Sequence, residues 1–316
     1  LPRLNPKGAM ARYGGLARGA ASDLLALIDE EPLFLVSDYG LDPALVGGQG
    51  DMRFEIHRAM LTEVEPDDIP FFISGRLNGA SLDIPGTDFS LSEGEVELEA
   101  SQAGLQATGT ARLVDAPVRI DWRESFGLPD DVPSTRIGLQ TVINARTLDG
   151  FNMPARRFLD GSIRIAAEAV SDGLDFRSVQ IEADLLDALV ELPGNVWAKE
   201  VGEPGLALLD LVQREDGGFD LGTIRMEADG AGLLASARLS EVGALEDLTL
   251  DRLFVDGVLD IAGEISPAIA PGEPVRVRLA GQYADVSAFM PDLASMGGEG
   301  GITLPLSLQA DIGRLI

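Results

Sequence analysis

The sequence predicts a mostly β fold with only a few short helices, and three observations predict it. Apolar and polar residues alternate with period two along much of the chain, Gly-containing turn signals separate the alternating runs, and helix signals are few. Strict alternation marks a strand with one apolar and one wet face. A 1–45 segment, partly helical, is expected to precede a 46–316 β region.

From the N-terminus, Ser22 is placed to cap a helix carrying Leu24, Leu25, Leu27 and Ile28, which ends near Glu30 before Pro32. "MRFEIHRAM" alternates Met52, Phe54 and Ile56 with Arg53, Glu55 and His57. An acidic, Pro-bearing connector, "VEPDDIP", follows. Val96, Leu98 and Ala100 then alternate with Glu95, Glu97 and Glu99. Leu105, Ala107, Gly109, Ala111 and Leu113 alternate with Gln106, Thr108, Thr110 and Arg112. Val118, Ile120 and Trp122 continue the pattern against Arg119, Asp121 and Arg123, before the loop "GLPDDVPS". Ile163, Ile165 and Ala167 form the next set. In "ADLLDALVEL", Leu186, Ala188, Val190 and Leu192 alternate up to Pro193-Gly194, which predicts a strand. Val275, Val277 and Leu279 face Arg276 and Arg278, and Asp285 is placed to cap a short turn before Pro291. Ile302, Leu304, Leu306 and Leu308 alternate last. Asn78-Gly79, Gln102-Ala103-Gly104, Asp172-Gly173, Asp216-Gly217-Gly218 and Asp229-Gly230 read as turns of an antiparallel meander.

So many one-sided strands need a cover for their apolar faces. Two sheets can meet in a sandwich or a closed barrel, or one sheet can curl into an open trough filled by a greasy ligand. Aromatic residues are only 5% of the chain, so the presumed inner faces are aliphatic and lean toward the trough. Periodicity alone leaves both architectures open.

Acids number 52 against 24 bases, a net charge of −28. Such a field repels phosphates, which argues against nucleic acid and against a broad grip on anionic headgroups. The chain contains no Cys, which excludes disulfides and thiolate metal sites. No apolar run approaches the roughly 20 residues of a membrane span. The chain starts at Leu1 and stops at Ile316 just after an alternating run, so both ends read as cuts in a longer protein.

Candidate chemical sites are sparse, and no cofactor and no enzymatic activity are expected. His57 is the single His, on the polar side of its run, and with no Cys it makes a poor zinc site. Asp67-Asp68 and Asp130-Asp131 read as solvated loop charge, and "SMGGEGG" lacks the Lys-Ser/Thr of a phosphate loop. Trp197 and Lys199 fall in the connector "VELPGNVWAKEVGEPG". A second catalytic group is missing beside them, so they read as a corner in which Lys199 lays its stem on the Trp and keeps its ammonium wet.

"VQIEADLLDALVELPGNVWAKEVGEPG" resembles the central region of the AsmA-like family, in particular its large YhdP-type members, at Asp184, Leu185, Pro193, Trp197, Lys199 and Gly202. "GLQATGTARLVDAPVRIDWRESF" is similar to another stretch of that family at Gly104, Gly109, Pro117, Trp122 and Phe126. "VRLAGQYADVSAFMP" and "LPLSLQADI" look like later family strands, and the resemblance spans most of residues 45–290. Glu200-Val201 departs from it, since the family places a Pro after the Lys. The resemblance implies a long twisted antiparallel sheet curled into an open groove, a β-taco. It implies a periplasmic segment of an inner-membrane-anchored protein, with the anchor outside this chain and an outer-membrane partner. Phospholipid acyl chains would slide along a lining made of Leu105, Ala107, Ala111, Leu113, Val118, Ile120, Ile163, Ile165, Ala167, Val275, Val277, Leu279, Leu304 and Leu306. The other readings are a structural or adhesin-like β scaffold that binds a protein partner, and an enzyme.

Overall fold

The computed structural model describes residues 9–30, 34–61, 64, 68–84, 89–129, 131–150, 155–156, 158–173, 175–192, 196–268, 273–285 and 305–315. The strands are β1 (Met10–Ala20), β2 (Val46–Ala59), β3 (Phe71–Asp83), β4 (Ser90–Ser101), β5 (Gly104–Leu113), β6 (Ala116–Ser125) and β7 (Thr135–Ile143). They continue with β8 (Leu159–Gly161), β9 (Ile163–Asp172), β10 (Asp175–Asp184), β11 (Ala188–Glu191), β12 (Ala198–Lys199) and β13 (Gly205–Gln213). Next come β14 (Phe219–Ala228), β15 (Ala231–Leu239), β16 (Leu245–Val255), β17 (Leu259–Ser266), β18 (Val275–Ala284) and β19 (Leu306–Leu315). The α-helices are α1 (Ala21–Ile28) and α2 (Ala145–Gly150), with 3-10 turns at Ser37–Tyr39 and Pro43–Leu45.

Of the described residues, strands account for 67% and helices, 3-10 turns included, for 8%, so the predicted β class holds. The large sheet is not closed into a barrel. Among the described residues sixteen strands share one sheet, in chain order apart from β8, β11 and β12, which form a separate three-stranded sheet. β1 and β19 are its two edges and do not pair with each other. Its pairings described residue by residue are antiparallel, except that β19 runs parallel to β18 with Val275 opposite Leu306. A parallel pair needs a crossover rather than a tight turn, and the stretch between Ala284 and Leu306 is long enough to supply one.

The chain divides into two compact units, residues 1–141 with 168–177, and residues 142–167 with 178–316. In the first, the sheet begins earlier than the sequence suggests, because Met10–Ala20 is a strand paired along its length with β2. That strand runs straight into α1. Ala20, still extended, is the N-cap without a side-chain hydrogen bond, so Ser22 sits inside the first turn and does not cap it. Ala21, Leu24, Leu25 and Ile28 of α1 pack on Met52, Ile73, Leu77, Leu98 and Ala100 of β2, β3 and β4. Each fully buried aliphatic side chain contributes about 1.5–3 kcal/mol there. Past the helix, Asp29 Oδ1 accepts hydrogen bonds from Val36 N at 3.0 Å, Ser37 N at 2.7 Å and Ser37 Oγ at 2.9 Å. These bonds hold the following segment, with Leu35 and Val36, in the same apolar cluster.

Asn78-Gly79 is not a turn. Both residues lie within β3, and the ladder slips between Asn78 and Ala80, so Gly79 at φ +60° is a bulge. The β2 ladder slips beside it between Gly47 and Gln49, where Gly48 has φ +104°, and the β4 ladder slips between Ser92 and Glu95. A Cβ on Gly48 would meet Ala80 Cα at 2.9 Å, so two bulged strands approach there as only Gly allows.

The second unit is built on the same hairpin principle. "ADLLDALVEL" is only half strand: β10 stops at Asp184, whose Oδ1 accepts from Leu186 N at 2.9 Å in a short turn, and pairing resumes at Ala188. Asp side chains favour this local bond over the ladder. Ala231, Val255 and Leu259 form a small core joined by Leu192, Trp197, Leu253 and Ile261. In β16 the inward set changes parity, from Leu248 and Leu250 to Leu253 and Val255, across exposed Asp251 and Arg252.

Candidate functional site

The first unit contains an apolar cavity of about 360 Å³. That lies within the range of small-molecule sites, about 300–1,000 Å³. Its floor is the inward face of β3 to β7, where the period of two brings Leu77, Val96, Leu98, Ile120, Trp122, Ile137 and Leu139 to one side. Between the larger residues of β4 and β6, strand β5 turns Leu105, Ala107, Gly109 and Ala111 to the lining, and Thr108 reaches it as well. The two Ala and the Gly lower the floor, so the depth of the cavity is written in side-chain size. Leu25 and Ile28 of α1, then Leu35, Val36, Tyr39 and Leu41, make one wall. Leu105, Ala107, Ile120, Ile137 and Leu139 remain half-buried.

The outward alternates are wet. Arg119 and Arg123 are exposed, and Arg76 pairs with Glu97 directly across β3 and β4. The acidic excess therefore lies on the polar side of these strands, with Glu124 the one charged residue among those lining the cavity.

Glu124 has the same parity as Val118, Ile120 and Trp122 and is 4% exposed. Its Oε2 accepts from Thr135 Oγ1 at 2.5 Å, and Trp122 Nε1 lies 3.4 Å away. Thr135, also buried, accepts from Gly173 N at 2.7 Å. Ser171 Oγ donates to the Gly173 carbonyl at 2.8 Å, which ties the β9–β10 turn into this network. Glu124 Oε1 is buried without a hydrogen-bond partner among the described residues. The ring of Tyr39 stacks on Phe126 with centroids 5.1 Å apart. Burial pushes the Tyr39 phenol up to about 12, and the negative charges of Glu124 and Asp38 add to the rise.

Among the residues expected to line a groove, Leu105, Ala107, Ala111 and Ile120 line this cavity. Val118 is buried and Leu113 half-buried on the same strands. Ile163, Ile165 and Ala167 lie in the second unit, with Ile163 buried, the other two half-buried, and Arg164 and Glu168 exposed. Val275, Val277 and Leu279 are half-buried there, and Arg276 and Arg278 are exposed. Leu304 lies outside the described residues, and Leu306 is the first residue of β19. The turn expected after Asp285, "SMGGEGG", Pro193-Gly194, Asp67 and Asp130 also fall outside them, Asp285 itself being the last residue described before that turn.

The reading of Lys199 is corrected. Its ammonium is not wet: the residue is 1% exposed, and Nζ donates to the carbonyls of Ala188 at 2.8 Å and Glu200 at 3.0 Å. Backbone turns around it offer oxygen acceptors at a spot where Trp197 is occupied elsewhere. Trp197 packs in the second unit's small core and donates from Nε1 to Asp229 O at 2.8 Å. His57 is half-buried, and its Nε2 lies 2.6 Å from Glu55 Oε1. Among the described residues no group of His, Cys, Asp and Glu is arranged to hold a metal ion.

No family model matches the chain, and no curated protein or solved structure is significantly similar to it.

Proposed function

We propose that the chain is a segment of a periplasmic, bridge-like lipid transport protein of the AsmA-like type, anchored in the inner membrane by a part outside this sequence. Its apolar sheet face carries phospholipid acyl chains toward the outer membrane while headgroups stay in water. The observation that carries this reading is the cavity of the first unit, an apolar trough on one face of an unclosed sheet whose opposite face is charged. A sandwich core would be filled from a second sheet; here α1 covers only part of the face. Burying an acyl chain contributes about 0.8 kcal/mol per CH₂. Such a lining grips chains by area and exerts no directional hold along most of its length.

The test is photocrosslinking with a reactive residue at Ala107 or Ile120 on the lining, compared with Gln106 or Arg119 on the exposed alternates. Phospholipid should appear by mass spectrometry on the first pair and not on the second. Equal labelling of both faces, or lipid-free protein from a membrane-containing lysate, would overturn the proposal.

A further inference from the structure

The cavity has a polar end that transport of acyl chains does not call for. Glu124 is buried at its lining, and one carboxylate oxygen is used by Thr135 while Oε1 has no partner among the described residues. A buried carboxylate oxygen without a donor is costly, more so for a charged group than for a neutral one. The nearby side chains do not relieve it. Thr135 already spends its hydroxyl proton on Oε2, and the Trp122 N–H points to Oε2. Among the described residues no Lys or Arg belongs to the lining. The geometry therefore presents an apolar cavity with one carboxylate in its lining and, among the described residues, no cation beside it.

We infer that Glu124 is a recognition group for a ligand made of an aliphatic chain joined to a primary ammonium, the chain lying over Ala107, Ala111 and Ile120 and the ammonium donating to Oε1. The inference rests on the reading of the cavity as a lipid site and adds the headgroup chemistry it selects. An ammonium supplies both a proton and the opposite charge, so it pairs more strongly than a neutral hydroxyl. A carboxylate or bare phosphate at the same place would meet a like charge. Two sources share this chemistry: a free long-chain amine, and a phospholipid whose headgroup ends in a primary amine.

The experiment measures binding of four probes to the folded chain by calorimetry: dodecylamine, dodecanoate, lysophosphatidylethanolamine and lysophosphatidylglycerol. Wild-type protein should bind dodecylamine at least about tenfold more tightly than dodecanoate, the size of one charge-assisted hydrogen bond. Glu124→Gln should bring the two within about threefold. The net charge of −28 attracts any cation, but that attraction is common to wild type and E124Q, so the difference between them is what decides. Glu124→Asp, which withdraws the carboxylate by one methylene, should weaken the amine alone and serves if E124Q does not fold. A matching preference between the two lysophospholipids identifies the lipid headgroup as the source; a preference confined to dodecylamine identifies the free amine. Equal binding of amine and carboxylate to wild type, or an amine preference that survives E124Q, overturns the inference and leaves the lipid reading standing. If none of the four probes binds, the lipid reading fails as well.

Discussion

The amino nitrogen of Lys199 lies 2.8 Å from the carbonyl oxygen of Ala188, in an environment from which water is excluded. Directly beside it, a Cβ on Gly205 would fall 2.9 Å from Lys199 Cε and 3.0 Å from Cδ. The Lys stem and the missing side chain are thus one packing unit, and the first prediction follows from it. Gly205→Ala should destabilise the fold by about 1–3 kcal/mol, because the stem must move. Lys199→Met should cost about 1–3 kcal/mol by leaving two carbonyls unpaired. In a Lys199→Ala background the added cost of Gly205→Ala should shrink to under half of its value alone, since the atoms it strikes are gone. Chemical denaturation of the four chains measures the coupling, and strict additivity would refute it.

Asp29 gives a pH signature. Burial pushes its carboxyl up, but hydrogen bonds from the Ser37 and Val36 backbone and from the Ser37 hydroxyl outweigh this and hold it below the ordinary value. A depressed folded-state value contributes stability at pH above the unfolded value of about 3.9, and the contribution is lost as pH falls through the folded one. Asp29→Asn should therefore lower stability by about 1–2 kcal/mol at pH 7 and by progressively less below pH 4. Melting curves of both proteins from pH 7 to pH 3 make the comparison; a constant gap would show that Asp29 acts by shape alone.

The depth of the cavity is set by small residues, which can be tested without adding charge. Ala107→Phe places a ring on the half-buried floor of the trough. The melting temperature should change by less than about 4 °C, because the new side chain enters space rather than a packed neighbour. Phospholipid recovered with the purified protein should fall at least fivefold. Undiminished lipid in a stable A107F protein would place the ligand elsewhere.

The outer face supplies the contrasting case. Arg76 and Glu97 are exposed partners on adjacent strands. Arg76→Ala should shift the melting temperature by less than about 2 °C and leave lipid recovery unchanged, since exposed pairs are screened and contribute little. A large loss of bound lipid in R76A would mean that the charged face, not the apolar one, holds the ligand.

Legibility in the sequence follows the regularity of each strand. β5, β6 and β9 keep one parity along their length and β18 does so as far as Gly281, so the facing of Ala107, Ile120, Ile165 and Val277 could be read directly. β16 could not, because the irregularity at Asp251 and Arg252 moves the inward set from even to odd positions. Asn78-Gly79 carries the signature of a hairpin turn, yet in β3 the same positive φ serves a bulge, and residue type does not distinguish them. Nor does the sequence tell which segment covers the face: α1 and residues 34–41 reach it through tertiary packing alone. Glu124 was within reach, since it extends the parity of Val118, Ile120 and Trp122 by one step. A charged residue at an inward position is the signal, and a count of apolar residues stops just short of it.

The order of the strands bears on how the protein comes to exist at all. Apart from the three short strands set aside in the small sheet, neighbours in the large sheet follow one another along the chain. Loop-closure entropy is then small at each step, and most ladders grow by adding the next hairpin to an edge already formed. A chain delivered N-terminus first can zip progressively, with α1 and β2 available before the later strands have emerged. β19 is the exception: its parallel partner lies across a crossover, so this pairing waits for a longer loop to close. Until then β18 stands as an unprotected edge open to other chains, the stage at which misassembly is most easily seeded.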